Sequence, residues 1–176
     1  VRRLLIFRHA KAIRPKPGME DRSRALVEPG RRDAARIGNY MAAEALVPDT
    51  VLVSPAVRTQ ETWKLAAPAL RSGIEVVTEE RLYDATVETI AGLLTNTPAE
   101  VQSLLVVGHN PGLHDLALTL TASGNAEAWK QLKRKFPTAG FVVIDFAFDD
   151  WSKLSERSGR LDRFVSPRLL RRRKSR

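Results

Sequence analysis

Three places in the sequence combine histidine, arginine and small polar residues in a way that suits chemistry on an anion. Arg8 and His9 stand together near the start of the chain, Arg58 follows in a Ser-Pro-Ala-Val-Arg-Thr run, and His109 lies in a Gly-His-Asn-Pro-Gly run. Two guanidinium groups can each donate paired hydrogen bonds to a tetrahedral oxyanion. A neutral imidazole beside them can attack phosphorus and carry a phosphoryl group transiently. Brought together, these residues would form a phosphate site.

The chain contains no cysteine, which excludes disulfide frameworks, thiolate zinc sites, iron–sulfur clusters and cysteine nucleophiles. It also lacks the Asp-x-Asp pair of aspartyl-phosphate enzymes, a P-loop, a Gly-x-Ser-x-Gly run and a His-Glu-x-x-His run. Histidine is therefore the remaining obvious nucleophile. Of the three histidines, His114 falls five residues after His109 and next to Asp115, and we expect it to support or pack rather than to react.

Each of the three places directly follows a short apolar run that predicts a buried strand, at residues 4–7, 51–53 and 104–107. Open α/β sheets collect their ligands outside the carboxyl ends of the strands. If these three strands are neighbours, two histidines and two arginines converge on one pocket.

The rest of the chain alternates apolar runs with amphipathic stretches, which predicts an α/β layered domain. Further strands are predicted at 74–77, 141–146 and 161–165, and helices at 30–45, 56–70, 87–94, 113–120 and 126–135. Ser54 is expected to cap the helix that begins at Ala56, and Pro111 suits a first helical position.

The length of 176 residues fits one domain, expected over residues 1–170, followed by a basic tail at 171–176. The net charge is +9, but residues 157–176 hold nine Arg or Lys and one acid, so the remainder is nearly neutral. We favour a solvated tail over a nucleic-acid arm. A third reading is that the tail steers an acidic or phosphorylated partner toward the domain.

No apolar run is long enough to cross a bilayer, and Arg2, Arg3 and Arg8 interrupt the first apolar segment. We therefore expect no signal peptide and no membrane association, and a cytoplasmic protein. Nothing in the sequence demands more than a monomer.

Three motifs in order resemble those of a known family. Residues 5–10, Leu-Ile-Phe-Arg-His-Ala, resemble the RHG motif of the histidine phosphatase superfamily, which includes the phosphoglycerate mutases. Residues 54–62 are similar to its SPxxRTxQT segment, and residues 107–113 resemble the GHNPGL segment of its small SixA-type phosphohistidine phosphatases. Two departures are Ala10 in place of glycine and Glu61 where a hydrophobic or small residue is often found. The resemblance runs from Leu4 to about Leu170 and implies a phosphoglycerate mutase-like fold, a three-layer αβα sandwich with a mostly parallel central sheet.

The resemblance also implies a role for each site residue. His9 would accept the phosphoryl group, while Arg8 and Arg58 would hold its oxygens and keep His9 neutral. His109 would add a hydrogen bond or a positive charge, and water would then hydrolyse the phosphohistidine. No metal and no organic cofactor are implied.

The general acid that many family members use is left open, because three carboxylates follow the strand at 74–77. These are Glu79, Glu80 and Asp84. Each is also a plausible surface or cap residue, and the SixA-type group resembles this sequence in lacking a clearly assignable acid. Since a protonated imidazole leaves readily, the gap modestly favours a phosphoramidate substrate.

Our first hypothesis is a cofactor-independent phosphatase that removes phosphate from phosphohistidine in a partner protein. The alternative is a phosphatase of a small phosphomonoester at the same site. The longest loop, residues 10–29 with Lys11, Arg14 and Lys16, is short for an enclosing lid and favours a protein-borne phosphate.

Two readings belong to other classes. A metal-dependent hydrolase would use His9, His109, His114 and Asp115, a spacing that matches no standard metal site. A nucleic-acid binder would use the C-terminal arginines and would lose its salt-dependent binding on deletion of residues 171–176.

Overall fold

A computed structural model describes residues 1–174 and shows one seven-stranded mixed sheet. In chain order the strands are β1 (Arg2–Arg8), β2 (Thr50–Val53), β3 (Glu75–Thr78), β4 (Ser103–Gly108), β5 (Thr121–Gly124), β6 (Phe141–Phe146) and β7 (Gly159–Val165). Across the sheet the order is β3-β2-β4-β1-β6-β7-β5. Four of the neighbouring pairs are parallel, and β6 is antiparallel to both β1 and β7.

Six α-helices within the described residues flank the sheet. They are α1 (Glu28–Ala43), α2 (Val57–Ala66), α3 (Val87–Thr95), α4 (Gly112–Leu120), α5 (Ala126–Arg134) and α6 (Pro167–Lys174). Short 3-10 helices lie between them, including Asp21–Ser23 in the loop after β1 and Glu80–Leu82 after β3.

The core lies in two layers, one on each face of the sheet, because alternate strand residues point in opposite directions. In β1, Leu4 and Ile6 pack on the face covered by α3, α4 and α5. Leu5 and Phe7 pack on the other face with residues of α1, α2 and α6. All four side chains are fully buried, so β1 is a central strand covered on both faces. This confirms the predicted α/β fold with three layers.

The strands and helices predicted from apolar periodicity are present, but two elements are not foreseen. β5 is an edge strand of Thr, Ala, Ser and Gly that is mostly exposed, so it carries no apolar pattern. α6 is mostly basic and buries only Pro167 and Leu170 among residues 167–173. The second predicted helix ends at Ala66 rather than at Leu70, where a 3-10 helix containing Pro68 follows.

α6 runs across residue 170, where the sequence places the start of a basic tail. Residues 171–174 continue this helix, and Arg171 forms an ion pair with Asp33 at 3.1 Å. Ser175 and Arg176, the end of the predicted tail, lie outside the described residues. Within residues 1–174, every helix is too short or too polar to cross a membrane.

Candidate active site

The sheet order brings the three chemistry-bearing places to one edge. β1 lies beside β4, and β4 lies beside β2, all parallel. In this register Arg8 pairs with Gly108, so His9 and His109 leave adjacent strand ends together. Their ring centroids are 5.4 Å apart. Arg58 arrives from the first turn of α2, directly after β2, and is only 5% exposed.

His9 is held as a neutral base with one nitrogen available. Its Nδ1 lies 2.7 Å from the carbonyl oxygen of Ala10, and because a carbonyl can only accept, Nδ1 carries the proton and donates it. Nε2 therefore keeps its lone pair. Burial, and to a smaller extent the positive charge of Arg8, lower the pKa of His9 to about 3. The imidazole is thus uncharged at neutral pH.

His109 is also neutral, and Ser54 contacts it. Burial and the nearby charge of Arg58 lower the pKa of His109 to about 4. The Ser54 hydroxyl lies 2.7 Å from His109 Nε2. α2 itself has Ala56 as its N-cap residue, with no side-chain cap bond, so the sequence-based expectation that Ser54 caps this helix is wrong. The hydroxyl instead forms a hydrogen bond with the imidazole of His109, which directly follows the neighbouring strand β4.

Pro111 also differs from its predicted place, because α4 begins one residue later at Gly112 and Pro111 is its N-cap residue.

Four buried polar side-chain atoms of the described chain lack a hydrogen-bond partner, and all four belong to this site. They are Arg8 Nε, Arg58 Nε, His109 Nδ1 and Asn110 Oδ1. Buried polar groups are normally paired, so a cluster of unpaired ones, mostly nitrogen, indicates a place for an anionic ligand. Burial and the charge of Arg58 also lower the pKa of Arg8, as expected for two guanidinium groups facing one site.

Two other contacts of this group fix its orientation. Arg8 Nη1 and Asn110 Nδ2 both donate to the carbonyl oxygen of Phe136, at 3.1 and 2.8 Å. The segment before β6 therefore holds one arginine and one amide of the site in place.

The loop between β1 and α1 contributes a residue that sequence reasoning missed. Asp21 accepts from Arg58 at two points, through its backbone carbonyl at 2.8 Å and through Oδ2 at 3.0 Å. Tyr83 donates its hydroxyl to the same carboxylate, and Arg24 donates to it at 3.0 Å. The hydrogen bonds from Tyr83 and from the arginines hold the pKa of Asp21 well below its usual range.

Tyr83 links this carboxylate to the histidines. Its ring meets that of His109 edge to face, with centroids 5.6 Å apart. Burial and the charge of Asp21 raise the pKa of the Tyr83 hydroxyl. Nothing local in the sequence distinguishes Asp21 from Glu20, or marks Tyr83, so only the folded contacts single them out.

The three candidate acids have different surroundings. Glu79 forms a two-point ion pair with Arg81, at 2.9 and 3.1 Å, and that pairing lowers its pKa. Glu80 pairs with Arg22 at 3.0 Å on the exposed surface. Asp84 lines a cavity of about 420 Å³ together with His109.

His114 is not part of this pocket. Its Nε2 lies 2.6 Å from the carbonyl oxygen of Leu132 and its ring packs near Phe136, with centroids 6.1 Å apart. The expectation that it packs is confirmed by these contacts. Across residues 1–174 no group of three or more His, Asp or Glu side chains is arranged to hold a metal ion. His9, His109, His114 and Asp115, the residues of the metal-hydrolase hypothesis, therefore do not form such a group.

Comparison with known proteins agrees with this geometry. The sequence model of the histidine phosphatase superfamily (branch 1) matches residues 4–104, which include Arg8, His9 and Arg58. The uncharacterized protein ML1117 of Mycobacterium leprae is 34% identical over 168 residues, covering 92% of this chain and all of the relative.

Solved structures match over nearly the whole chain. A protein of Agrobacterium tumefaciens assigned as phosphohistidine phosphatase SixA is 32% identical with a TM-score of 0.78, covering 94% of this chain and 98% of its own. One assigned likewise from Nakamurella multipartitia is 25% identical with a TM-score of 0.82, covering 94% and 96%. These matches confirm the phosphoglycerate mutase-like fold. The two neutral imidazoles and the two arginines lie where the motifs of this family end. The match to the family model over more than half of the chain shows that the protein belongs to branch 1 of the histidine phosphatase superfamily, and this membership supports a phosphatase activity.

Proposed function

We propose that the protein removes phosphate from phosphohistidine in a partner protein, through a covalent intermediate on His9. The observation that carries this proposal is the state of His9, which is buried, neutral, and protonated on Nδ1 so that Nε2 is free. Unpaired buried nitrogens of Arg8, Arg58 and His109 surround it. This arrangement supports a nucleophile placed next to an oxyanion site.

In the first step, the Nε2 lone pair of His9 attacks phosphorus in line with the leaving imidazole of the substrate. A new P–N bond forms as the substrate P–N bond breaks, and the leaving imidazole departs as a neutral ring because its other nitrogen carries the proton. Arg8 and Arg58 hold the non-bridging oxygens and offset the charge that spreads over them. His109 Nδ1 donates a further hydrogen bond when Ser54 donates to its Nε2.

In the second step, water attacks the phosphoryl group on His9. Its oxygen forms a bond to phosphorus, the P–Nε2 bond breaks, and its proton goes to a phosphate oxygen or to solvent. The Nδ1–H bond to the Ala10 carbonyl persists throughout, so the ring leaves as a neutral imidazole and is ready for another cycle. These steps use residues of one chain and no cofactor.

The proposal also retains three expectations from the sequence. These are a domain that covers residues 1–170, a monomeric state and a cytoplasmic location.

Phosphohistidine is favoured over an ester because four of the five candidate proton donors near the pocket, all except Asp84, are paired or uncharged. Glu79 and Glu80 are engaged by arginines, and His9 and His109 are both neutral. An alkoxide needs a proton to leave, whereas a protonated phosphoimidazole does not. The similarity to the A. tumefaciens SixA protein over nearly the full chain also supports this choice.

The test compares hydrolysis of a phosphohistidine-bearing protein with that of an aryl phosphate and 3-phosphoglycerate, with chelator present. We expect rapid loss of phosphohistidine, feeble action on the esters, and a fall of about 10⁴-fold or more in kcat for His9→Ala. His114→Gln serves as the matched control and should keep most of its activity, since that ring contacts the Leu132 carbonyl and the Phe136 ring and none of the catalytic side chains. Retained activity in His9→Ala would contradict the covalent mechanism.

A second candidate, a small phosphomonoester, is supported by one observation. The 420 Å³ cavity beside His109 is the size of a small-ligand site, and its lining includes Asp84, which in its protonated form would be a proton donor for an alkoxide. A preference for 3-phosphoglycerate or the aryl phosphate in the same assay would replace phosphohistidine as the substrate and leave His9 as the nucleophile.

A further inference from the structure

A second cavity, strongly basic, lies on the same edge of the sheet as the active site. β6 begins there, since Phe141 pairs with Phe7 near the end of β1. β7 ends there, since Val165 pairs with Phe141. The cavity measures about 490 Å³ and opens where β7 runs into α6. We call it the basic cavity. The charged residues of its rim are five cations and one acid, Asp33; the cations are Arg134, Lys135, Arg168, Arg171 and Arg172.

The positive charge of this rim is not balanced within the described chain. Asp33 already lies 3.2 Å from Arg36 and 3.1 Å from Arg171. The side chains of the other four rim cations are exposed and form no hydrogen bond or ion pair with the described residues; these are Arg134, Lys135, Arg168 and Arg172. Like charges held close together repel, and an anionic partner removes that cost.

The basic cavity is joined to the catalytic pocket by a few residues of backbone. The carbonyl of Phe136 accepts the hydrogen bond from Arg8, and the next two residues, Pro137 and Thr138, line the basic cavity. Even when fully extended, two residues span at most roughly 7 Å, and Thr138 lies in a turn closed by Gly140 N and the carbonyl of Pro137. A group bound in the basic cavity is therefore separated from Arg8 of the phosphate site only by the backbone of residues 136–138.

We propose that the basic cavity is a docking surface for acidic side chains of the protein that carries the phosphohistidine. The inference rests on the proposed function and adds to it how the partner is recognised. A protein covering about 800 Å² of this edge spans both places at once. A small metabolite held at His9 does not, because the backbone of Phe136–Thr138 stands between them.

The acidic residues on the other side of the active site argue against a nucleic acid as the partner that binds the basic cavity. Asp84, Glu88 and Asp115 line the cavity next to His109. A polyanion lying along the edge would meet these carboxylates on one side, whereas a folded protein can present acidic groups to the basic cavity and basic or neutral groups to the acidic one.

The test reverses charge in the basic cavity with Lys135→Glu/Arg168→Glu. Lys135 is the C-cap residue of α5, where an acid opposes the helix dipole, and Arg168 lies in the first turn of α6, where an acid suits it, so the two effects on helix stability offset each other. Arg157→Glu/Arg160→Glu is the matched control. Both of its residues are exposed and lie where β7 begins, at the opposite edge, and the change in net charge is the same.

The first readout is turnover of a phosphohistidine-bearing acidic protein and of free phosphohistidine by the three proteins. We expect the cavity variant to raise KM for the protein substrate about 10-fold, with kcat for the protein and all constants for free phosphohistidine within about twofold of wild type. The control variant should match wild type on both. Equal KM values for cavity and control variants would overturn the docking surface while leaving the proposed function intact.

The second readout is binding without turnover, which separates failure of the docking surface from failure of the proposed function. An unphosphorylated peptide rich in Asp and Glu is titrated into wild type and both variants at low and high salt. Salt-sensitive binding by wild type and control, weakened about 10-fold or more in the cavity variant, supports the surface even if phosphohistidine is not the substrate. No binding by wild type, equal binding by the cavity variant, or a preference for a single-stranded oligonucleotide would overturn it.

Discussion

At the scale of single residues, the site is built from polar atoms that the chain brings into its interior and leaves without partners. Arg8 Nε, Arg58 Nε and His109 Nδ1 are buried and unpaired. Unpaired buried donors are costly, on the order of 1–3 kcal/mol each, so they are retained where a ligand completes them. His9 differs, because its Nδ1 is satisfied by Ala10 and only the lone pair of Nε2 faces a reaction partner.

The clearest residue-scale prediction concerns Arg58. Arg58→Ala should weaken the binding of inorganic phosphate or vanadate by at least about tenfold, since a hydrogen bond to a charged group contributes about 1.5–3 kcal/mol. Calorimetric titration measures this directly. Arg31→Ala is the control, because Arg31 also forms an ion pair, with Glu61 at 2.9 Å, but outside the pocket. Unchanged affinity in Arg58→Ala would remove Arg58 from the phosphate site.

A second residue-scale prediction concerns Asp84 as the candidate general acid. Asp84→Asn should slow hydrolysis of esters with poor leaving groups several-fold or more and leave phosphohistidine turnover unchanged, because only the ester needs a proton. Asparagine is chosen because Asp84 has φ of +53°, a conformation that asparagine tolerates. Glu79→Gln, at a carboxylate paired with Arg81, is the comparison. Equal loss on both substrate classes would mean that Asp84 acts on structure rather than on the leaving group.

At the scale of elements, the loop between β1 and α1 decides how Arg58 is held. The loop is closed by an isolated bridge between Ala12 and Leu26, and its 3-10 helix Asp21–Ser23 places Asp21 against Arg58. α1 then packs tightly on the residues that follow His9. A Cβ atom on Gly30 would lie 2.1 Å from the carbonyl oxygen of Lys11, so only glycine allows this approach.

Gly30→Ala should therefore push α1 and the loop apart. We expect a loss of roughly 1–3 kcal/mol in the free energy of unfolding together with a fall in kcat/KM, because the loop carries the partner of Arg58. Gly92→Ala is the matched control. It also lies in a helix, but nothing stands within 4 Å of its added Cβ, so it should stabilise the protein by about 0.5–1 kcal/mol with activity unchanged. Denaturant unfolding and steady-state assays decide this, and an active, stable Gly30→Ala protein would show that the close approach is dispensable.

At the scale of the whole molecule, the buried site links catalysis to stability. The fold keeps His9 and His109 neutral, with pKa values of about 3 and about 4, whereas in the unfolded chain they titrate near 6.5. Below about pH 6.5 the unfolded chain binds more protons than the folded one, so stability falls as pH falls through this window.

This linkage predicts a loss of roughly 2 kcal/mol for each of the two histidines between pH 7 and pH 5. Urea unfolding at the two pH values measures it. His9→Gln removes one of the two titrating groups and should reduce the pH dependence by about half, whatever its effect at pH 7. A pH dependence unchanged by His9→Gln would mean that His9 is not held neutral by the fold.

Much of this protein follows from its sequence alone. The strand ends that carry Arg8, His9, Arg58 and His109 are visible as apolar runs followed by motif residues, because the period of a buried strand and the chemistry of a side chain are both local properties. The same local patterns predicted the layers of the fold, and they missed β5 and α6, in which too few apolar residues are buried to leave a pattern.

The tertiary structure alone decided which polar groups meet. Asp21 reaches Arg58 across 37 positions of chain, Ser54 reaches His109 across 55, and Tyr83 reaches Asp21 across 62. No local pattern encodes such contacts, because a buried donor takes whichever acceptor the packed elements bring to it. For the same reason the surroundings of Asp84, and the basic cavity at the end of β7, became visible only when distant segments were placed on one edge of the sheet.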